Sequence, residues 1–241
     1  MSKKNCKRQE YKDLINFKEL EVDNLPVGVS ISTMCCSAKL GSTIDITNIQ
    51  KYLKLDCNSI LSVKLNNDEQ RTLLENKTKN KKKKTVTKKA KVQKFYNQIT
   101  VVMRIYENKF EDINDEKRIN IKLFKNGSIQ MSGCKRIEEV NIAISKLIIK
   151  LKEKRAKVID NNISEISFID EPDKICISDF KIDMINSNYQ VNLQIDRSKF
   201  YNLLLKKKIQ ASYEKCIRAC VIIKYCPKEE NPLEKEISIF V

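Results

Sequence analysis

The side chains that could do chemistry in this chain are thiols, carboxylates and a large excess of amines. There are nine cysteines, 31 acidic residues, 47 lysines and arginines, and no histidine. Without an imidazole, the Ser–His and Cys–His relays that activate a nucleophile near neutral pH cannot be built. The chain has four glycines, and neither GxxxxGK[ST] nor GxGxxG occurs, so a phosphate-cradling loop is not expected. The cysteines are odd in number and scattered. Cys216, Cys220 and Cys226 come closest together, but no CxxC spacing occurs, and a zinc site would have to gather four thiolates from distant segments. Buried thiols acting as small hydrophobes are the expected role. No pair of carboxylates has a spacing that argues for acid–base work. These residues speak against an enzyme, a metal centre and a bound cofactor.

The amines point elsewhere. A formal net charge of +16 favours a polyanionic partner, either nucleic acid or an anionic membrane surface. A lysine-, asparagine- and isoleucine-rich composition also follows from AT-rich codons, so charge alone does not choose. No segment approaches the run of about 18 apolar residues that spans a bilayer. The N-terminal MSKKNCKRQE lacks the apolar core of a secretory signal. The expectation is a protein that is not secreted and keeps its thiols in a reducing compartment.

The elements that must position these charges follow from periodicity. Residues 1–25 read as a flexible basic arm. Val27, Val29 and Ile31 alternate as in a strand, and Gly41-Ser42-Thr43 interrupts it. Ile46, Ile49, Tyr52 and Leu53 follow at helical spacing behind Asp45, a suitable N-cap. A short strand is expected from Ile60 to Leu65. The stretch from about 76 to 94, NKTKNKKKKTVTKKAKVQK, has nothing to bury and repels itself, so it reads as a disordered insertion. Strands resume at Ile99, Val101, Met103 and Ile105, and after a charged turn at Ile119, Ile121 and Leu123. Asn126-Gly127 is a hairpin turn, and Ile129 and Met131 return on the same face. Ile137, Val140, Ile144, Leu147 and Leu151 stripe a long helix beginning near Arg136. A linker of Asp, Asn and Ser, 161–174, follows.

The same order then restarts. Phe180 to Leu193 reads as a strand, Phe200, Leu203 and Leu204 as a helix, Val221 to Ile223 and Ile237 to Val241 as strands. ITVVMRIY (99–106) and INIKLF (119–124) in the first half answer to ACVIIKYC (219–226) and EISIF (236–240) in the second. Arg104 aligns with Lys224 at an offset of 120, Phe124 with Phe240 at 116, and Val29 with Met184 at 155. The lysine-rich insertion and its flanks account for the larger value. A duplicated strand–helix–strands–helix order predicts an α+β fold with helices on one face of an antiparallel sheet. The first repeat covers 26–160 and the second 175–241.

DFKIDMINSNYQVNLQI (179–195) and SYEKCIRACVIIKY (212–225) resemble the DFKIQN strand and SYEPELFPGLIYRM region of the TATA-binding proteins. VVMRI (101–105) resembles that family's VIMRI, and LFKNGSIQMSGCK (123–135) its IFxSGKxxxTGAK hairpin. The resemblance covers about 26–241, and its lysine- and asparagine-rich style is similar to forms found in giant nucleocytoplasmic DNA viruses. It implies a saddle, a pseudo-twofold repeat of a curved antiparallel sheet with helices on the convex face. The concave face would lie in the minor groove of AT-rich promoter double-stranded DNA, wedge it open with phenylalanines and bend it. It also implies work in transcription initiation beside a transcription factor IIB-like protein and RNA polymerase. The location would be the nucleus or, for a viral protein, the host cytoplasm.

Residue by residue, the resemblance makes Phe124 and Phe240 the wedges and Arg104 and Lys224 the phosphate contacts. Lys122, Asn126, Ser128, Gln130 and Ser132 would share the DNA face with Val29, Ile31 and Met184. Tyr213 and Glu214 would meet the partner protein, although Lys215 and Arg218 change the charge of that loop. The departures are informative. The upstream wedge phenylalanine is replaced near Gln98 or Ile99 and near Ile217 or Arg218. Val29 and Met184 stand where the family aims two asparagines into the groove, and Lys122, Gln130 and Ser238 replace apolar groove contacts. DNA affinity with altered TATA preference is the expectation, and a protein-interaction scaffold that no longer bends DNA is the alternative. The sequence stops within the strand leading to the second hairpin, so the second repeat is expected to be incomplete, or completed by a dimer or a partner chain.

Overall fold

The computed structural model describes residues 28–65, 70–74, 97–106, 117–159, 162–225 and 236–241. The expected N-terminal arm and the lysine-rich insertion lie outside the described residues. The chain forms two compact units, divided between Tyr189 and Gln190.

The first unit is one antiparallel sheet with two helices. Its strands are β1 (Val29–Lys39), β2 (Ile60–Lys64), β3 (Gln70–Thr72), β4 (Gln98–Arg104), β5 (Arg118–Phe124), β6 (Ser128–Cys134) and, after a crossover, the strand Ser178–Tyr189. A separate ribbon of β7 (Arg155–Ile159) and β8 (Asn162–Ile166) precedes that last strand, which is therefore β9. The order across the sheet is β3-β2-β4-β5-β6-β1-β9. The first strand of the second repeat thus pairs with the first strand of the first, and the fold is α+β as the repeat predicts.

Alternation decides the faces. Ile99, Val101 and Met103, Ile119, Ile121 and Leu123, and Ile129 and Met131 are all buried, while their neighbours point the other way. Helices α1 (Ile46–Tyr52) and α2 (Ile137–Lys152) cover the apolar face and close a single core. On α2 the buried residues are Val140, Ala143, Ile144, Leu147, Ile148 and Leu151, recurring at three and four residues as a helical stripe requires. Glu139 is buried with them. Its carboxylate accepts the Lys135 N–H at 2.6 Å and pairs with the Lys117 ammonium at 3.3 Å, which compensates the desolvation of the charge.

The ends of α1 are closed from both sides. Asp45 accepts the Asn48 N–H at 2.8 Å. At the other end the Arg71 guanidinium, reaching over from β3, donates to the carbonyls of Gln50 (2.6 Å), Ile49 (3.1 Å) and Leu53 (2.8 Å). The Ile49 carbonyl also accepts the Leu53 N–H at 3.2 Å, while those of Gln50 and Leu53 are among the carbonyls that a helix end leaves without intrahelical partners. The β5–β6 turn needs its glycine. Gly127 has φ +81°, and a Cβ there would stand 2.1 Å from the Ser42 carbonyl oxygen.

Three features depart from the sequence-based expectations. The segment 161–174 is not a free tether. Its residues Asn162–Ile166 form β8, Phe168 and Ile169 are buried in the core, and Ile169 bridges to Ile44. Strand β1 changes face along its length, because its pairing shifts register between Ile31 and Thr33. Ile31 therefore leans on the core together with Met34, three residues on. The short strand β3 and the β7–β8 ribbon carry no alternation long enough to be read in advance.

The second unit contains α3 (Arg197–Lys206) and a three-stranded sheet in the order β10 (Ala211–Ser212), β11 (Ile222–Tyr225), β12 (Ile237–Phe240). Asp196 caps α3 by accepting the N–H groups of Ser198 and Lys199, each at 3.0 Å. Leu204 and Val221 are buried, while Leu203, Ile217, Ile237 and Ile239 are exposed.

Candidate nucleic-acid interface

The face of the first sheet that the helices leave uncovered is polar and basic. Its composition follows from strand alternation, and its layout follows from register, because directly paired residues point to the same side. One row runs straight across six strands: Lys64 pairs with Thr100, Thr100 with Lys122, Lys122 with Gln130, Gln130 with Ser37, and Ser37 with Lys181. The next row is Ser62, Val102, Asn120, Ser132, Cys35 and Met184. Lys122, Gln130 and Asn120 are exposed, and Ser132 and Ser128 are half-buried. Asn126 sits at the hairpin tip, where its side-chain oxygen accepts the Ser128 N–H at 3.1 Å.

The structure brings part of the predicted set onto this face, while Lys224 and Phe240 belong to the second unit. Lys122, Ser128, Gln130 and Ser132 share it, and Met184, 46% exposed, joins them opposite Cys35. Val29 is half-buried opposite Tyr189. Ile31 is turned toward the core by the β1 irregularity, and so does not belong to this surface.

The two expected wedges differ. Phe124 is half-buried and lines a cleft of about 450 Å³ with Thr43, Asn97, Lys125 and Asn126. Phe240 is 61% exposed. Their ladder positions differ too. Arg104 pairs with Arg118, and Phe124 lies six residues beyond that partner; Lys224 pairs with Ser238, and Phe240 lies two residues beyond. If Arg104 and Lys224 are superposed, Phe240 occupies the place of Asn120, not that of Phe124. Both alignments read from the sequence therefore cannot hold as ladder positions, although the even shift leaves both rings on the side of their respective cation.

The expected phosphate contacts are engaged within the protein. The Arg104 guanidinium donates to the Cys57 carbonyl, and the Arg104 N–H to the Ser59 carbonyl at 2.8 Å. The Lys224 ammonium is held by the Glu236 carboxylate and donates to the Ser238 hydroxyl at 3.0 Å. Glu236 escaped the sequence reading, because only the β11–β12 register sets it beside Lys224. In the same unit Tyr213 is half-buried against Tyr201, with ring centroids 6.0 Å apart at 61°, and the Lys215 ammonium stands 5.7 Å from its ring. Glu214 is exposed and lines a cleft of about 250 Å³ with Ser212, Ile217, Arg218, Cys220 and Ile222.

Burial pushes the Cys36 and Cys134 thiols up to about 12, so both stay protonated and inert. Among the described residues no three metal-ligating side chains gather, and no helix is long and apolar enough to cross a membrane.

An α+β protein built on a duplicated motif, with one sheet face under helices and the other left open, polar and basic, is the class that this fold and surface define. The chain is similar, at 38% identity over 229 residues, to the "TATA-box-binding protein-like" protein of Acanthamoeba polyphaga mimivirus. The match takes in 88% of this chain and 57% of that protein, so the chain spans little more than half the length of its relative. Among solved structures it is similar to Methanococcus jannaschii TBP, at a TM-score of 0.43 and 16% identity over 82% of this chain and 76% of that one. No family model matches the chain.

Proposed function

We propose that this protein is a transcription-initiation factor that binds promoter DNA in the minor groove through the open face of its first sheet. The observation that supports the reading is the row through Lys122, a line of cations, amides and hydroxyls, half-buried to exposed, on the sheet face opposite α1 and α2. Cations on such a face neutralise phosphates and release counterions, whatever the sequence beneath them. Phe124 at one hairpin end and Phe240 in the second unit supply apolar side chains for unstacking base steps, and wedging bends the duplex. The protein acts by binding and does no covalent chemistry. Tyr213 and Glu214 belong to the surface that receives an initiation factor resembling transcription factor IIB, and through it the polymerase. Kinship with a mimivirus protein favours a place of action where viral genes are transcribed, in the nucleus or the cytoplasm of the host.

Fluorescence anisotropy on an AT-rich duplex tests this. Binding should weaken linearly on a log–log plot against salt, with a slope of about −0.9 for each phosphate engaged. An affinity unchanged between about 50 and about 200 mM salt would remove the phosphate contacts and the proposal with them. One observation favours a second reading, a saddle-type scaffold for protein partners: Arg104 and Lys224 are both held by groups of the protein itself. A bending assay by energy transfer separates the two. The wild type should bend the duplex and Phe124→Ala should bend it less; binding without bending in either protein favours the scaffold.

A further inference from the structure

The two helices of the first unit differ on the side they turn to solvent. On α1 the exposed residues are Thr47 and Lys51, the ordinary polar cover of a helix on a sheet. On α2 the outward residues are Glu138, Ile142, Ser145, Ile149 and Lys152, spaced four, three, four and three apart, so they form one stripe along the helix. Ile149 is 56% exposed, and Ile142 is half-buried at the margin of the core. The stripe is nearly symmetric about Ser145. Isoleucines lie three residues before it and four after it, and a carboxylate lies seven before it and an ammonium seven after it. The other cations of this helix are occupied. Lys146 donates to the Ile105 carbonyl at 2.6 Å, and Lys150 pairs with Glu153 at 2.9 Å and with Asp56 at 3.7 Å. Glu138 and Lys152 are exposed, and neither makes a hydrogen bond or ion pair among the described residues.

We infer that this stripe is a contact between two copies of the chain, with α2 packed antiparallel on α2 of the second copy about a twofold axis at Ser145. A twofold contact needs a surface that is complementary to itself. Antiparallel reversal exchanges the two ends of the stripe. Ile142 then meets Ile149 of the second copy and Glu138 meets its Lys152, and the axis makes each contact occur twice. Ser145, at the crossing, is small enough to let the helix axes approach to about 8 Å. The reversal also sets the positive end of each helix dipole beside the negative end of the other. The helix is about 24 Å long, and a stripe this narrow buries less than the about 1,200 Å² of a standard interface. The net charge of +16 opposes association at long range. Both limits make the dimer a weak one that forms with rising concentration. The stripe faces away from the sheet, so the two copies join by their helical sides and each open face stays free. None of this depends on DNA binding.

Sedimentation velocity of the full chain, from about 1 to about 200 µM in about 150 mM salt, reads the association. The wild type should pass from monomer toward dimer within that range. Ile149→Gln should weaken the dimer by at least about tenfold, because the axis buries that residue twice. Glu138→Lys and Lys152→Glu should each weaken it about fivefold, since each sets like charges side by side. The double variant Glu138→Lys/Lys152→Glu restores opposite charges at the wild-type net charge, and should return to within about twofold of the wild type. A thermal melt of each variant confirms the fold. A Lys152→Glu that tightens the dimer overturns the inference, because net charge and not pairing then governs association. A dimer that Ile149→Gln leaves intact, or that the double variant does not restore, is built elsewhere and overturns it as well. A wild type that stays monomeric throughout also overturns it; a melting temperature lowered by Ile149→Gln in that monomer assigns the face to another segment of the same chain. Each of these outcomes leaves the DNA-binding proposal where it stands.

Discussion

Replacing Glu236 with Gln frees the cation that the second unit now keeps to itself. Glu236 holds the Lys224 ammonium, and the Ser238 hydroxyl, 3.0 Å from the same nitrogen, keeps it in place on the ladder. The two side chains are 38% and 42% exposed, so the pair is screened by water and contributes only about 0–1 kcal/mol to stability. The substitution should leave the fold intact. On DNA its effect is larger in proportion. A Lys224 that no longer answers to a carboxylate can neutralise one more phosphate, which steepens the salt slope by about 0.9. Across a fourfold change in salt, that extra contact changes the loss of affinity by about a factor of three. The assay is anisotropy on an AT-rich duplex between about 50 and about 200 mM salt for four proteins: wild type, Glu236→Gln, Lys224→Gln and the double variant. Glu236→Gln should bind more tightly at low salt and with a steeper slope, and the double variant should lose the gain. A slope that does not change in Glu236→Gln refutes the reasoning. A gain that survives in the double variant refutes it too, because the cause is then the added net charge and not the released lysine.

Gly127→Ala should destabilise the protein by about 2 kcal/mol or more in urea melts, since it forces a Cβ into the left-handed region against the Ser42 carbonyl. Arg71→Met should cost about 2–3 kcal/mol in the same assay, because it strips three hydrogen bonds from the C-terminal carbonyls of α1. Cys36 and Cys134 predict a loss of stability in alkali. Burial first, then neighbouring charges, raises their folded values to about 12 from 9.0, so the unfolded thiols ionise first. Stability should be level below about pH 9 and fall above it, by up to about 1.4 kcal/mol per pH unit for each thiol. Urea melts between pH 8 and 10 should show the fall, and Cys36→Ala with Cys134→Ala should flatten it. In the native protein at pH 8, iodoacetamide should label the exposed Cys57 and Cys216 and spare the buried pair.

How much of this was legible depends on how local each cause is. The helix α2, the strands β4, β5 and β6, the Asn126-Gly127 turn and the Asp45 cap were all written in residues a few places apart. The repeat was legible because two distant stretches carry the same local pattern. The anchoring of 161–174 was not legible because Phe168 and Ile169, which are buried in the core, have no periodicity around them. Ile31 was misplaced because alternation assumes an unbroken ladder, and the pairing of β1 with β9 shifts register just beyond it.

The open face shows the same division more sharply. Period-two alternation by itself determined that Lys122, Gln130 and Ser132 share a side, as it determined which residues form the core. It could not determine which residues on different strands stand together. A slip of two or four residues along a ladder keeps every side chain on its face and changes every neighbour. That is why Phe124 and Phe240 looked equivalent in sequence and occupy different rungs. It is also why Glu236 beside Lys224, and the donor row from Lys64 to Lys181, became visible only with the register. Register is fixed by the packing of whole strands and by the lengths of the segments between them, and no local run of residues encodes it.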